Sequence, residues 1–448
     1  MTEDLSAPAS ETVSWMRSQS SAIESEIYLQ RTRRRALARR DGGRDGVELS
    51  ESLGAGVRVM DGGRVGFASA GAADPETLRA LWRRAVEQLP HAEAEARLTL
   101  PAPATGAADG GLDASLWDES LFARSWEELD ARVGQADSAA SAGGRARVLR
   151  SEIEESRGEI VVLNTRGLLA RERGGSVSVS VSTAAEGGAQ TQVGEGFRES
   201  RRFDALDASA AGAEAARRAL ASIGGRRTRG GRRAVVFEPW VAGEFLELLA
   251  DLLSAEEVQN GRSLLAGRLG RAIASPLVTL RDDPRRLGGP ASARFDDEGV
   301  PTRDKALVEG GTLRELLHDS ATAAREGTAS NGCGYRDGWS GRPGPGSSNL
   351  FLAPGAIGRD ALIEGTKDGL LVLEVLGTHM TDPVSGEFSV GVSGLEIEKG
   401  EIARPFQGAM VSGNLLDLLA RVDAVADDLV FHGSFGAPTF RVSALDVA

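Results

Sequence analysis

Apolar residues recur at helical spacing in several segments of the chain. The clearest runs over residues 76–89, where Leu78, Leu81 and Trp82 begin a stripe with a period near 3.6 and Pro75 suits the first turn. The same spacing predicts further helices over residues 11–25, 125–140, 205–222, 239–253 and 414–425.

Other segments alternate apolar and polar residues, as strands with one buried face do. Residues 176–182 alternate Ser and Val without a break, and Ile27 and Leu29 begin a similar segment. Asp-Gly-Gly turn signals at residues 41–43 and 61–63 indicate a strand meander. Further strands are predicted at residues 57–59, 65–67, 146–156, 159–164, 168–173, 233–237, 370–376, 388–392 and 395–397.

These elements predict an α+β protein with two domains. Residues 1–228 are expected to form an N-terminal antiparallel sheet with helices on one side. Residues 229–448 are expected to form a mostly β C-terminal domain that carries the helix at residues 239–253. A basic, glycine-rich stretch at residues 224–231 resembles a flexible boundary between the two.

Composition and net charge limit the cellular locations and the kinds of partner that we expect. The net charge of −13 disfavours nucleic acid or an anionic membrane as the main partner. Six arginines between Arg31 and Arg40 favour a solvated strand face over a nucleic-acid patch for the same reason. No window of the sequence reads as a signal peptide or a membrane span, and the single cysteine, Cys333, fits a reducing cytoplasm. We therefore expect a cytoplasmic location.

The sequence contains no complete catalytic motif of the kinds considered below. The four histidines (His91, His318, His379 and His432) include no pair within helical reach, although the last three could converge in space. There is no G-x-S-x-G elbow, and Cys333, which looks exposed between two glycines, has no evident base. We expect neither a catalytic residue nor a metal site in this chain.

Several short segments together resemble the TldD/PmbA (TldE) metallopeptidase family. Residues 56–68 are similar to its N-terminal strand pair, and residues 436–440 to its closing turn and strand. Further family segments lie between these two in the same order, at residues 348–355, 369–372, 385–389 and 394–401. The central acidic turn is Phe295-Asp296-Asp297-Glu298-Gly299-Val300-Pro301, which on residue types alone is equally typical of a cation site or a plain turn.

The resemblance also implies where metal chemistry should lie. Catalytic TldD-type subunits carry HExxxH on the first helix of the C-terminal domain, with a late cysteine that resembles a third zinc ligand. Here that helix is at residues 239–253, and Glu247 and either Asp251 or Leu252 stand near the histidine positions, with Leu248 near the general base. Leucine can neither bind zinc nor move a proton, and the cysteine segment is shortened. Glu247 and Asp251 are better explained as a solvated stripe than as a weak oxygen-ligand site.

The family resemblance therefore predicts a TldE/PmbA-like subunit that lacks HExxxH. It would pair with a TldD-like subunit that binds the zinc, and help to enclose peptide substrates. Two alternatives stay open: a stand-alone binding or regulatory protein, and a specialised peptidase or amidase subunit in natural-product maturation. Residues expected to line the substrate or partner cleft are Asp296, Asp297, Glu298, Asn349, His379, Phe388 and Ser389.

Overall fold

A computed structural model describes residues 4–95, 98–103, 110–187, 190–378, 381–382 and 384–448. The N-terminal half is built on one antiparallel sheet of six strands, in the order β3-β2-β1-β4-β5-β6. Its strands are β1 (Glu24–Arg40), β2 (Gly43–Asp61), β3 (Arg64–Ala70), β4 (Ala146–Asn164), β5 (Leu169–Gly187) and β6 (Gln190–Ser200).

Tight turns join these strands as the sequence predicts. Asp41 and Gly42 adopt positive φ between β1 and β2, and Gly62 and Gly63 do so between β2 and β3. Strand pairing begins directly beside each turn, between Arg40 and Gly43 in the first case. Turn chemistry thus fixes the register of the first three strands.

The predicted breaks within β4 and β5 are wrong, because both strands run continuously for 19 residues. The interruptions in the side-chain pattern lie opposite each other: Gly158 pairs with Gly174, and Arg157 with Gly175. Backbone pairing does not depend on side chains, so the ladder continues through this row. A Cβ on Gly175 would lie 2.8 Å from a Leu121 side-chain atom, so the glycine permits a close approach.

Helices cover one face of this sheet in two groups. Leu78, Leu81 and Trp82 of the second helix pack on Val57 and Val59 of β2. The fourth and fifth helices pack on β4, β5 and the far end of β1. The helices are α1 (Ser6–Gln19), α2 (Pro75–Gln88), α3 (Leu112–Leu116), α4 (Trp126–Ser141) and α5 (Ala208–Ala221), with 3-10 turns at Leu89–His91 and Phe203–Ala205.

The C-terminal half is rich in strands, which confirms the predicted α+β class. One sheet has the order β16-β15-β14-β7-β20-β17, and an added pairing between β16 and β20 curls it towards closure. A second sheet has the order β10-β9-β8-β13-β19-β18, and β11 pairs with β12. The strands are β7 (Gly231–Phe237), β8 (Leu280–Asp282), β9 (Lys305–Glu309), β10 (Thr312–Leu313), β11 (Gly334–Tyr335), β12 (Gly344–Pro345), β13 (Leu350–Leu352), β14 (Asp368–Leu376), β15 (Glu387–Glu398), β16 (Glu401–Asn414), β17 (Val422–Val425), β18 (Val430–His432), β19 (Phe435–Ala437) and β20 (Phe440–Val447).

Helices in this half are fewer and shorter. The predicted helix at 414–425 is too long: it ends at Ala420, and Val422 and Val425 instead pair with Val442 and Phe440 of β20. Valine at those positions suits a strand, so tertiary pairing overrides the helical spacing. The helices are α6 (Pro239–Leu252), α7 (Ala255–Gln259), α8 (Ser320–Glu326), α9 (Arg359–Glu364) and α10 (Leu415–Ala420).

Throughout the described residues, every helix is too short or too polar to cross a bilayer. The largest core lies in the C-terminal half, between α6 and the two six-stranded sheets. This core fixes α6 in place and so determines which of its side chains face outwards.

Candidate functional site

The helix that resembles the family's metal-binding helix is α6, which follows directly from β7. Pro239 occupies its first turn, where the missing backbone N–H costs nothing. Val241, Phe245 and Leu249 form the buried stripe that the sequence predicts. This stripe anchors α6 on the C-terminal core and leaves the opposite face open.

The four motif positions on α6 have different surroundings. Glu247 and Asp251 are exposed, as a solvated stripe would be. Leu248 is half-buried and packs on the core, and Leu252 is 1% exposed within it. Leu248 and Leu252 have no donor atom, and Leu252 points into an apolar core. These residues therefore do not fit a family-type zinc site.

An aromatic and charged cluster surrounds the start of α6. The Trp240 ring contacts two side chains. Its centre lies 4.5 Å from the centre of the His432 ring and 4.6 Å from the guanidinium carbon of Arg218. Arg218 belongs to α5 and also donates to the Leu373 carbonyl at 2.7 Å. The cluster therefore joins α6 to the N-terminal half through a cation–π contact.

Two groups in this cluster have shifted pKa values. Burial lowers the pKa of His432 to about 4, so its imidazole is neutral at pH 7. Burial raises the pKa of Glu244 to about 7, one turn after Trp240 on α6. Trp240, Glu244 and Arg218 carry no signal in the sequence, because their contacts depend on how α5 and α6 pack together and on His432, which is distant in sequence.

The acidic turn is built around Asp296. Its carboxylate accepts hydrogen bonds from the backbone N–H groups of Glu298 (3.0 Å), Val300 (2.9 Å) and Gly334 (2.8 Å). Burial, followed by the charge of Glu298, raises the pKa of Asp296 well above its usual value. This geometry is that of a hydrogen-bonded turn, in which the oxygen atoms of Asp296 already have protein partners.

Glu298 ties this turn to the N-terminal sheet. Arg58 of β2 donates to Glu298 at 2.8 Å and to Glu26 of β1 at 2.8 Å, and all three side chains are almost fully buried. Burial opposes the charge on Arg58, but Glu26 and Glu298 outweigh it and raise its pKa. Likewise, burial alone would raise the pKa of Glu298, yet Arg58 holds it below the usual value. The charged forms of Arg58 and Glu298 are therefore kept in the buried site.

Asp297 extends the same network. It accepts from the Tyr28 hydroxyl at 3.2 Å and from the Arg336 backbone N–H at 2.9 Å. The Arg336 guanidinium pairs with Glu26 and lies 4.7 Å from the Tyr28 ring. Asp297 and Glu298 thus bond directly across the junction of the two halves, and Asp296 shapes the turn that carries them.

A cleft of about 350 Å³ opens beside this junction. Ser156, Gly158 and Gly174 of β4 and β5 form one wall, and Ala293 and Phe295 form the other. Small residues on the sheet leave the space open. Glu172 and Arg201 also line it, and burial raises the pKa of Glu172. The cleft therefore combines small residues of the sheet with two charged side chains.

Asn349 supports one wall of that cleft. Its side chain donates to the Asp283 carbonyl at 2.7 Å and to the Ser292 hydroxyl at 2.9 Å, and it accepts from the Ala291 backbone at 2.9 Å. The side chain is buried, so it positions the loop without reaching the open space.

The remaining cleft residues from the sequence lie elsewhere. Phe388 is buried in the C-terminal core, with its ring 5.6 Å from that of Phe245. Ser389 is exposed on the other face of β15. His379 lies outside the described residues. The structure therefore places Asp296, Asp297, Glu298 and Asn349 around one region and separates Phe388 and Ser389 from it.

The interpretation of Cys333 as exposed is wrong. Its side chain is 0% exposed, and burial raises its pKa to about 12, which leaves the thiol protonated at pH 7. The Gly332 and Gly334 backbones pack against neighbouring loops, so flanking glycines here mark close packing.

His318 and His432 have different neighbours. His318 lies 3.6 Å from Glu326, whereas His432 contacts Trp240. Among the described residues, no three His, Cys, Asp or Glu side chains are arranged to hold a metal.

Comparisons with known proteins cover most of the chain. Family models match residues 230–448 as "PmbA/TldA metallopeptidase C-terminal domain", residues 25–89 as domain 1 and residues 122–223 as the central domain of the same group. All described parts of α6, the acidic turn and the junction fall within these matches.

Individual relatives span nearly the full length. A protein named metalloprotease from Methanothermobacter thermautotrophicus is 28% identical over 406 residues, which is 89% of this chain and 86% of the relative. Metalloprotease PmbA of Escherichia coli O157:H7 is 26% identical, over 90% of this chain and 87% of its own. The crystal structure of TldE from Thermococcus kodakarensis has the same fold, with a TM-score of 0.89, 23% identity, and coverage of 99% of this chain and 100% of that one.

Proposed function

Because the chain belongs to the PmbA/TldD metallopeptidase family, we propose that it is a non-catalytic, TldE/PmbA-like subunit of a two-chain zinc protease. The zinc and the catalytic water belong to a TldD-like partner, and this chain contributes part of the enclosure for peptide substrates. A cytoplasmic location is part of this proposal, because a chain with a single cysteine fits a reducing compartment.

The proposal rests on the side chains that α6 carries at the motif positions. The helix keeps its family position after β7, yet Leu248 and Leu252 occupy motif positions and Leu252 is core. A catalytic chain would need donor atoms at both the metal and the base positions of this helix. Leucine supplies neither function, so catalysis has to come from another chain.

The cleft beside the junction supports the peptide-binding part of the proposal. It is lined by serine and glycine from the sheet and by one charged residue of each sign. Those two, Glu172 and Arg201, are held in place by Arg294 and by the Gly289 carbonyl. An extended peptide exposes backbone donors and acceptors along its length, and such walls can satisfy them with little dependence on sequence.

The test is co-expression of this chain with a TldD-like chain from the same genome. We expect a stable two-chain complex in a size measurement, and hydrolysis of unfolded peptides by the complex. Replacing the glutamate of the partner's HExxxH with glutamine should abolish hydrolysis, whereas Glu247→Ala and Asp251→Ala here should leave kcat within about twofold, because exposed surface changes rarely disturb distant chemistry.

Other outcomes separate the alternatives. Failure to form any complex would support a stand-alone binding or regulatory role. Cleavage restricted to one small precursor peptide would support the role in natural-product maturation. Hydrolysis by this chain alone would contradict the proposal.

A further inference from the structure

The outer half of β2, residues 43–53, forms a long free edge. β2 pairs with β1 along its whole length, but on its other side it pairs with β3 only from Ala55 to Asp61. Within the part of the chain that the structure describes, no strand lies beside residues 43–53, and residues 43–52 are exposed. An unpaired edge of this length offers a row of backbone donors and acceptors to another strand.

Other border strands have more cover from neighbouring elements. β6, at the far side of the same sheet, has one face pressed against α5, where a Cβ on Gly194 would lie 2.2 Å from the Ala215 carbonyl oxygen. In the C-terminal half, the outer side of β16 pairs with β20 at Val411 and Ser412 and forms a bridge with Arg226 at Phe406. The outer half of β2 has neither form of protection.

Two apolar side chains project from this edge. Val47 is 55% exposed and Leu49 is 59% exposed. They share a face with Leu37 and Arg35, their partners on β1, and both of those residues are buried. The helical cover of the sheet therefore stops at β1, and Val47 and Leu49 continue the apolar row one strand beyond it.

Acidic residues accompany this apolar pair. The outer half of β2 contains Asp45, Glu48 and Glu51 against a single Arg44, which lies 3.4 Å from Asp130 of α4. Glu48 and Glu51 make no hydrogen bond or ion pair with any residue that the structure describes. Two arginines of the neighbouring strand β1, Arg34 and Arg35, form their ion pairs with Glu154 and Glu155 instead.

We propose that residues 43–53 form a docking edge for an extended segment of another protein, with apolar residues at alternate positions and basic residues beside them. Such a segment would extend the sheet by antiparallel pairing with β2. Its apolar side chains would cover Val47 and Leu49, and its Lys or Arg side chains would pair with Glu48 and Glu51. This inference concerns the N-terminal sheet and does not depend on the proposed protease role.

A second copy of the chain fits this edge poorly. Two β2 edges related by a two-fold axis can place Val47 opposite Leu49 in only one register. That register also places Glu48 opposite Glu48 and Asp45 opposite Glu51, and like charges directly opposite each other destabilise a strand pair. Charge complementarity therefore favours a basic partner segment over self-association.

The probe is a fluorescent synthetic peptide with two valines at alternate positions to cover Val47 and Leu49. A lysine between the valines faces Glu48, threonines lie just outside the valines, and a lysine follows at each end, one of which faces Glu51. We expect saturable binding to the full-length chain and slower amide hydrogen exchange at residues 43–53 when the peptide is added. Val47→Lys with Leu49→Lys should weaken binding at least about tenfold, because the apolar cover is lost and a basic residue is repelled.

A charge reversal separates specific docking from general stickiness. Glu48→Lys with Glu51→Lys should weaken the lysine peptide and strengthen a matched peptide in which glutamates replace the lysines. Val193→Lys, on the exposed side of β6, is the matched control and should leave both affinities unchanged.

Three results would overturn the proposal. The first is peptide binding that leaves hydrogen exchange at residues 43–53 unchanged, and the second is the absence of binding to a chain with native circular dichroism. The third is concentration-dependent dimerisation of the unmodified chain that Val47→Lys with Leu49→Lys abolishes, since that would identify a second copy as the occupant.

Discussion

Two acidic stretches of the C-terminal half look equally promising as chemistry but differ in their surroundings. Asp296 and Glu298 are buried and Asp297 is half-buried, and their carboxylates are bonded to backbone amides, Arg58 and Tyr28. Glu247 and Asp251 on α6 are exposed, and their neighbours Leu248 and Leu252 have no donor atoms. The first stretch joins the two halves of the molecule, whereas the second lies on a solvated face of one helix. Residue type alone therefore does not distinguish a structural junction from a solvated stripe.

The largest effect is expected at the junction. Arg58→Ala leaves Glu298 buried without its guanidinium and removes one partner of Glu26, which should cost about 3–5 kcal/mol of unfolding free energy. Arg34→Ala on the neighbouring strand is the control, because its pair with Glu154 is exposed and should contribute no more than about 1 kcal/mol. Urea denaturation measures both, and equal losses would contradict a structural role for the acidic turn.

A second prediction separates the two motif positions on α6. Leu252→His places a polar ring in the C-terminal core and should cost about 2–4 kcal/mol. Glu247→His changes an exposed position and should stay within about 0.5 kcal/mol of the unmodified chain. Thermal unfolding of the two variants tests this; a well-tolerated histidine at residue 252 would show that α6 can still present ligands there.

The third effect is smaller and depends on pH. Glu244 has a folded pKa of about 7, above its ordinary 4.5, so the fold holds this proton more tightly than the unfolded chain does. Its contribution to stability is complete below about pH 4.5 and is lost as the pH rises through 7. Glu244→Gln stays neutral, so the melting temperature of the variant minus that of the unmodified chain should increase between pH 4.5 and 8.

Glu247→Gln, on the exposed face of the same helix, is the control for this pH series. Its difference in melting temperature should stay flat over the same range. A flat curve for Glu244→Gln as well would mean that the start of α6 is more open to water than the structure shows.

Much of the fold followed from sequence patterns, and the failures have physical causes. The turns at residues 41–43 and 61–63 and the stripe of α6 depend on local chemistry, which a sequence carries directly. The long β4 and β5 were divided wrongly, because a row of glycines interrupts side chains without interrupting backbone pairing. Residues 422–425 became a strand because β20 lies beside them.

The candidate site was predicted less completely. The acidic turn was found from its residues, but its role depends on Arg58 and Tyr28, which are more than 200 positions away and give no local signal. The cluster of Trp240, His432 and Arg218 was missed because it depends on how α5, α6 and β18 pack together, which no local pattern specifies. The division at residue 228 and the cleft role of Phe388, Ser389 and His379 stay predictions.

The central claim is that this chain is the non-catalytic member of a metalloprotease pair, and zinc content tests it most directly. The isolated chain and its complex with a TldD-like chain would be analysed for bound zinc and for peptide hydrolysis under the same conditions. We predict no stoichiometric zinc and no hydrolysis for the isolated chain, and zinc in proportion to the TldD-like chain in the complex. Stoichiometric zinc in the isolated chain, together with hydrolysis that Glu247→Ala abolishes, would contradict this account.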